Sequence, residues 1–410
     1  MKNLYRIFFA ILLAIATVGC SKNEAEGPDL PDIPAIDSNV HRTVLVYMAA
    51  DNNLYSNARE NLEDMIRGME GVEGNLVVYL DSWGDTPCLI KIGNDGSRQT
   101  LETYEKENSA SPEVLRKAID RTKALCPAPA YGLIMWSHGN GWVPGKTAGA
   151  RASSAGRRDG AAEYEGTLWE KDPNALPTKW FGQDLSAGAF MNISGLSEAV
   201  RSSGTVFDFI LFDACFMSSV EALYDLRHAA EYIIASPAEV LADGFPYAAI
   251  LPSLFTERPQ LEMTCRSFVD HYLSSDYPSA TVALVRTSEL EALAATVRDV
   301  IARNPSFEVD AAAVQPFENM QEHVYHDLSD FVSRIAPGTD VYRQFELQLG
   351  RTVLFTDHTP YFYSAYGYGN HWIGIETCCG VSAYIPAPGK SLNADYARTA
   401  WAEAIGIEVE

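Results

Sequence analysis

Tyr131-Gly132-Leu133-Ile134-Met135-Trp136 is a short apolar run that stops at Ser137-His138-Gly139-Asn140-Gly141-Trp142. The run is too short for a helix of ordinary length, so it reads as a buried strand. The polar, glycine-rich residues after it form the loop at its carboxyl end. A second segment has the same form: Phe207 to Phe212 is a strand, followed at once by Asp213-Ala214-Cys215. In open parallel sheets, sites collect beyond the carboxyl ends of strands. If the two strands are neighbours, His138 and Cys215 meet there.

The segments around this pair fix the fold class. Thr43–Met48, Asn75–Leu80, Leu89–Ile92, Tyr232–Ala235 and Ala280–Arg286 read as further strands. Helices are expected over Leu54–Met69, from Ser111-Pro112-Glu113, over Ser194–Ser203 and Phe216–Leu226, and in the stretch ending near Ser275. Ser111 is a capping residue and Pro112 suits a first helical turn. Strand–helix alternation predicts an α/β three-layer sandwich, its central sheet mostly parallel and its helices on both faces. The last hundred residues should add helices between 318 and 350 and strands near 352–357 and 380–385; they either extend the sheet or form a subdomain. Cys378 and Cys379 should lie on opposite faces of one strand.

Composition narrows the function classes. With 47% hydrophobic residues in 410, the chain has ample material for a core. Lys and Arg number 31 against 54 Asp and Glu, a net charge of -23 that disfavours nucleic acid and anionic lipid surfaces. Lys2 and Arg6 precede an apolar run, Ile7 to Val18, too short to span a bilayer. Residues 1–20 thus read as a signal peptide. Thr17-Val18-Gly19-Cys20 resembles a bacterial lipobox with Cys20 as the lipidated residue, although Thr17 replaces the preferred Leu. Residues 21–40, with Pro28, Pro31 and Pro34, read as a tether. The expected product is an exported lipoprotein, periplasmic or at the cell surface, anchored to the outer or cytoplasmic membrane.

The remaining six cysteines, Cys88, Cys126, Cys215, Cys265, Cys378 and Cys379, show neither metal-ligand spacing nor a dense disulfide framework. A cysteine at a strand end is ordinarily a small hydrophobe, and one loop histidine is ordinarily a surface group. The joint pattern changes the weighing. An imidazole and a helix N-terminus, here expected at Phe216, both favour the thiolate. Gly139, lacking a Cβ, allows close backbone approach. The N–H groups of Gly139 and Cys215 are then placed to hold the oxyanion of an acyl-transfer intermediate, and His138 to protonate the leaving amine and activate water.

Asp213 lies two residues before Cys215, so both project to one side of the strand. A carboxylate there suits recognition of a basic substrate side chain; alternatively it holds backbone N–H groups of neighbouring loops. Asp51, Asn52 and Asn53 after the first strand, and Ser236 and Glu239 after another, either line the substrate pocket or serve turns and caps. Residues 143–182 are too long and irregular for an ordinary connection. They carry Lys146, Arg151, Arg157 and Arg158, with Lys171 and Lys179 beyond, as candidate sites of self-cleavage. His323 and His326, with Asp327, make at most half of a metal site on an expected helix.

Ser137-His138-Gly139-Asn140-Gly141-Trp142 and Asp213-Ala214-Cys215-Phe216-Met217 together resemble clostripain-type cysteine peptidases, relatives of caspases, legumains, gingipains and separase. The resemblance extends over Tyr47–Leu54 and over Ala235–Glu239 to Gly244–Tyr247. It implies a caspase-like fold over residues 41–290, with a mobile loop at 143–182 and residues 291–410 as an extension or subdomain. It also implies a His138–Cys215 dyad, protein or peptide substrates cut after Arg or Lys, a reading of Asp213 as the specificity carboxylate, and a cleavable connection between the two motifs. Some such peptidases need calcium; this sequence has no calcium-loop pattern and no cofactor is expected from the residues alone. The same dyad serves acyl transfer to an amine, and an inactive surface-binding lipoprotein of the same fold is the alternative.

Overall fold

A computed structural model describes residues 40–144 and 183–407. Cys20, the tether, and the cleavage candidates Lys146, Arg151, Arg157, Arg158, Lys171 and Lys179 lie outside the described residues.

Long apolar strands build the centre. The strands among the described residues are β1 (Arg42–Ala50), β2 (Asn75–Ser82), β3 (Cys88–Ile92), β4 (Arg98–Thr103), β5 (Ala130–Trp136), β6 (Gln183–Asp184), β7 (Ala189–Phe190), β8 (Phe207–Asp213), β9 (Ala230–Ala235), β10 (Thr281–Arg286), β11 (His326–Asp327), β12 (Val353–His358), β13 (Tyr361–Tyr363), β14 (Trp372–Gly374) and β15 (Ser382–Ala383). Nine of them form one sheet in the order β12-β10-β9-β8-β5-β1-β2-β3-β4. β1 is buried along its whole length, as a strand covered on both faces must be. The five inner strands from β2 to β9 run parallel. The outer strands β3 and β4 on one side, and β10 and β12 on the other, run antiparallel.

Helices cover both faces. Tyr55–Met69, Tyr247–Leu254 and Leu261–Leu273 pack together as one layer. The first two approach so closely that a Cβ on Gly68 would stand 2.7 Å from Tyr247 O. Pro112–Leu125, Ile193–Ser202, Val220–Asp225 and Leu290–Arg303 belong to the other layer. Ser111 caps its helix as expected, its side chain accepting from Glu113 N. The caspase-like sandwich read from the sequence is thus the observed architecture, and β12 shows that the carboxyl-terminal residues extend the sheet.

Several local expectations fail for identifiable reasons. β9 and β10 pair antiparallel although two helices join them. The expected helix Phe216–Leu226 is only Val220–Asp225, because residues 216–219 are engaged elsewhere. No helix spans 318–327: the buried Glu318 carboxylate accepts from the N–H groups of Met320, Val324 and Tyr325 and winds that segment into a loop. His323 sits in that loop and His326 in β11, so they do not share a helix face. Cys378 and Cys379 lie in loop, not strand.

Candidate active site

β5 and β8 are parallel neighbours, with Trp136 opposite Asp213. Both chains leave the sheet at that level, and His138 and Cys215 lie two residues further along each. Their loops touch. A Cβ on Gly139 would stand 2.2 Å from Cys215 O and 2.6 Å from Cys215 N. Only glycine fits such an approach, so the His-Gly pair is a spatial requirement of the contact with Cys215.

Cys215 is fully buried. Val240 N–H donates to its Sγ at 3.2 Å, and the thiol lies 3.6 Å from Val240 O. Phe216 follows with φ 60°, a left-handed conformation that costs a non-glycine residue about 1–3 kcal/mol. The turn is held from two sides. Phe216 N donates to Ala238 O at 3.0 Å, and the Phe216 ring stacks on Tyr325 with centroids 4.3 Å apart. These contacts replace the helix N-terminus expected directly behind the thiol; the helix starts only at Val220. Tyr325 OH also donates to Asn140 O at 2.8 Å. One residue from the carboxyl-terminal part therefore clamps both motif loops.

His138 is buried, and its Nε2 lies 2.7 Å from Asn53 Oδ1. Sequence reasoning noted Asn53 only as a pocket or turn residue; its distance from His138 in the chain hid the pairing. Asn52 instead supports the turn after β1: its Nδ2 donates to Ala49 O and its Oδ1 accepts from Leu54 N. Asp213 is buried rather than at an open pocket mouth, and its Oδ2 accepts from Tyr247 OH at 2.8 Å and Phe245 N at 3.4 Å. Ser236 Oγ lies 2.7 Å from Thr281 Oγ1 and accepts from Ala238 N. Glu239 accepts from Ala365 N. Val240, Phe245 and Tyr247 all belong to the segment after β9, which thus covers Cys215 and Asp213 together.

The carboxyl-terminal part also stitches the turn after Cys215. Ser382 N donates to Ser218 O, and Ser218 Oγ to Gly380 O. Glu221 accepts from Tyr384 N at 2.8 Å, and the Tyr384 ring meets Trp142, four residues beyond His138, edge-on.

The model of the Clostripain family matches residues 46–157 and 164–399. This chain belongs to the clostripain family. It is 28% identical to clostripain of Hathewaya histolytica over 245 residues, which cover 52% of this chain and 42% of that protein, less than half of its length. Among solved structures it is similar to an inactive zymogen C11 protease from Parabacteroides distasonis, 31% identical with TM-score 0.75, covering 90% of this chain and 99% of that one. It is also similar to a secreted C11 cysteine protease from Bacteroides thetaiotaomicron, 26% identical with TM-score 0.76, covering 89% and 99%. A second structure of such a protease from that organism, in complex with an irreversible peptide inhibitor, is 31% identical with TM-score 0.74 and covers 89% and 99%.

For the calcium that some clostripain-type enzymes need, this chain offers a donor set of suitable chemistry. Asp51, Asp81 and Asp184 are buried, with one carboxylate oxygen of each within 4.8 Å of the others. Hard oxygen donors of this kind suit calcium. Sequence spacing could not reveal them, because they come from three separate segments.

Proposed function

We propose that this clostripain-family chain is a cysteine endopeptidase in which Cys215 attacks the scissile carbonyl and His138 moves the proton. The observation that supports this most is the contact between Gly139 and the Cys215 backbone, which sets the two strand-end loops side by side. In the first step the thiolate Sγ bonds to the carbonyl carbon, and the N–H groups of Gly139 and Cys215 receive the oxyanion. His138 then gives its proton to the leaving amine as the C–N bond breaks. It next takes a proton from water, whose oxygen displaces Sγ and frees the acid.

Cleavage after Arg or Lys rests on Asp213. A buried carboxylate beside the nucleophile pairs with a guanidinium through charge-assisted hydrogen bonds. In the described conformation the segment from Ala238 to Tyr247 covers both Asp213 and Cys215, which fits a latent form and accords with the similarity to an inactive zymogen. Self-cleavage at Lys146, Arg151, Arg157 or Arg158 is the proposed route out of that form. Export and anchoring through Cys20 complete the reading.

The test compares wild type with Cys215→Ala. A peptide library should be cut after Arg or Lys by wild type alone, with two fragments found only when Cys215 is intact. Equal cleavage by Cys215→Ala defeats the reading. Binding of surface ligands by both forms, with no cleavage by either, would favour the inactive lipoprotein.

A further inference from the structure

The hairpin β13–β14 has no part in the acyl transfer above, yet its tip reaches the turn that carries the nucleophile. Ala365 N donates to both carboxylate oxygens of Glu239, the neighbour of Val240, at 3.1 Å each. The buried Tyr366 ring lies 6.2 Å, centroid to centroid, from Phe216, the residue after Cys215. Two residues further along, at the end of the tip, Tyr368 is 59% exposed.

A single exposed ring needs no function, but the tip that carries this one is firmly held. Gly367 and Gly369 flank Tyr368 with φ 71° and 96°, a geometry that favours glycine. A Cβ on Gly367 would run into Asn319 O. Asn319 N donates to Ser364 Oγ and Asn319 Nδ2 to Asn370 O, so one residue holds both sides of the tip. Ser364 N donates to His371 O across its base, and Tyr363 N to Ser279 Oγ just ahead of β10. None of these anchors lies in the segment from Ala238 to Tyr247 that covers Cys215, so the tip is held independently of it. Residues 361–375 carry no Asp, Glu, Lys or Arg. Their half-buried His371 and Trp372 pack on Tyr363, with ring centroids 5.4 and 5.3 Å away. The hairpin thus presents aromatic surface without formal charge beside the nucleophile, and a fixed ring gives contact area at little entropic cost.

The sheet order says which part of a substrate meets this surface. β10 runs antiparallel to β9, with Ala283 opposite Ala235, so β10 begins at the carboxyl end of the parallel strands, where Cys215 also lies. The hairpin, tied to Ser279, therefore stands on the β9–β10 side of Cys215. β5, which leads to His138, is on the other side of β8. In the mechanism proposed above His138 serves the leaving amine, so that half of the substrate departs over β5 and the acyl half extends over β9 and β10. From β8 to β10 is two strand spacings, about 10 Å, which an extended peptide covers in about three residues. We propose that Tyr368 forms a subsite for an apolar side chain on the acyl side, at about the third residue counted back from the scissile bond. The subsite rests on the peptidase reading and adds to it a second specificity, independent of Asp213.

The experiment profiles peptide libraries with full-length wild type, Tyr368→Ala and Tyr368→Phe, with Cys215→Ala as the blank. The libraries hold Arg or Lys at the cleaved residue and vary the three positions before it and the three after the bond. Wild type should favour Leu, Phe or Tyr over Gly or Asp near the third residue by ~10-fold or more in kcat/KM. Tyr368→Ala should reduce that preference to within about twofold, leaving peptides with Gly there at their wild-type rate, and Tyr368→Phe should retain it. Tyr368 is exposed, so neither variant threatens the fold. An unchanged preference in Tyr368→Ala overturns the subsite and leaves the peptidase reading standing. So does an equal drop for every peptide, which marks a structural role, or a loss of preference only after the bond. Libraries that wild type leaves uncut, or that Cys215→Ala cuts equally, overturn the peptidase reading and the subsite with it.

Discussion

His138 Nε2 lies 2.7 Å from Asn53 Oδ1. An amide oxygen only accepts, so this contact places the ring hydrogen on Nε2 and leaves the lone pair of the neutral imidazole on Nδ1. Asn53 is therefore a positioning residue: it sets the tautomer and ring angle of the proposed base. Asn53→Ala should lower kcat by ~10–100-fold, part of the ~10²–10⁴ that acid–base catalysis supplies, with KM little changed. Asn53→Asp should instead raise the pKa of His138 and move the acid limb of the kcat/KM profile to higher pH. An unshifted profile with Asp and full activity with Ala would remove Asn53 from the machinery.

Gly139 is constrained by space. Its backbone is not among the positive-φ glycines, yet an added Cβ would meet Cys215 O at 2.2 Å. Gly139→Ala must push the β5 and β8 loops apart. A stability loss of about 1–3 kcal/mol is expected from overpacking, with kcat falling ~10²-fold or more as the oxyanion donors separate. Thermal melts and steady-state kinetics measure the two effects independently. Wild-type kcat in a folded Gly139→Ala protein would contradict the proposed oxyanion geometry.

What the sequence revealed and what it hid follow from range of interaction. β1, β5 and β8 were legible because continuous apolar runs bury both faces of a strand whatever surrounds them. β4 was not: Arg98–Thr103 is polar, and only its edge position beside β3 makes it a strand. Cys215-Phe216-Met217-Ser218 reads as a helix start, and no local signal predicts φ 60° at Phe216. That angle is imposed by Ala238 and by Tyr325, more than a hundred residues later. The reversal of β10 is likewise set by pairing with β9 and β12, not by the helices before it. The site was legible as two motifs; its supports, Asn53, Val240 and Tyr325, were not, since each acts only through the folded contact.

Glu221 provides a pH-dependent test of the carboxyl-terminal wall. It is fully buried, and desolvation raises its pKa to about 8 despite the hydrogen bond from Tyr384 N. The unfolded chain ionises this group near its ordinary value of 4.5. Between these two values the native state holds the proton and the unfolded state does not, so stability falls as pH rises. Above about 8 the penalty is complete and no longer changes. Glu221→Gln removes the titration. Its stability relative to wild type should grow from pH 5 to pH 8, by about 3–5 kcal/mol at most on the linkage scale of ~1.4 kcal/mol per unit. Urea melts across that range measure it; parallel curves for the two proteins would show that Glu221 does not titrate in this window.

The segment that covers Cys215 also holds Asp213, and this coupling can be loosened at one atom. Tyr247 OH donates to Asp213 Oδ2 at 2.8 Å, and both residues are fully buried. Tyr247→Phe keeps the ring and removes the donor. A hydrogen bond to a charged group contributes about 1.5–3 kcal/mol, so the covered arrangement should lose roughly that much relative to an open one. The opening equilibrium should then rise ~10-fold or more, provided Val240 and Tyr247 move as one segment. Iodoacetamide labelling of Cys215, followed by mass spectrometry in an uncleaved chain, reads that equilibrium directly. Faster labelling at Cys215, with labelling at the buried Cys265 unchanged, is the expected result, because Cys265 lies in the helix Leu261–Leu273, outside the moving segment. Equal acceleration at both cysteines would mean general loosening of the fold. An unchanged Cys215 rate would mean that Val240 stays on the thiol independently of Asp213, and that the covered arrangement is held by contacts other than this one.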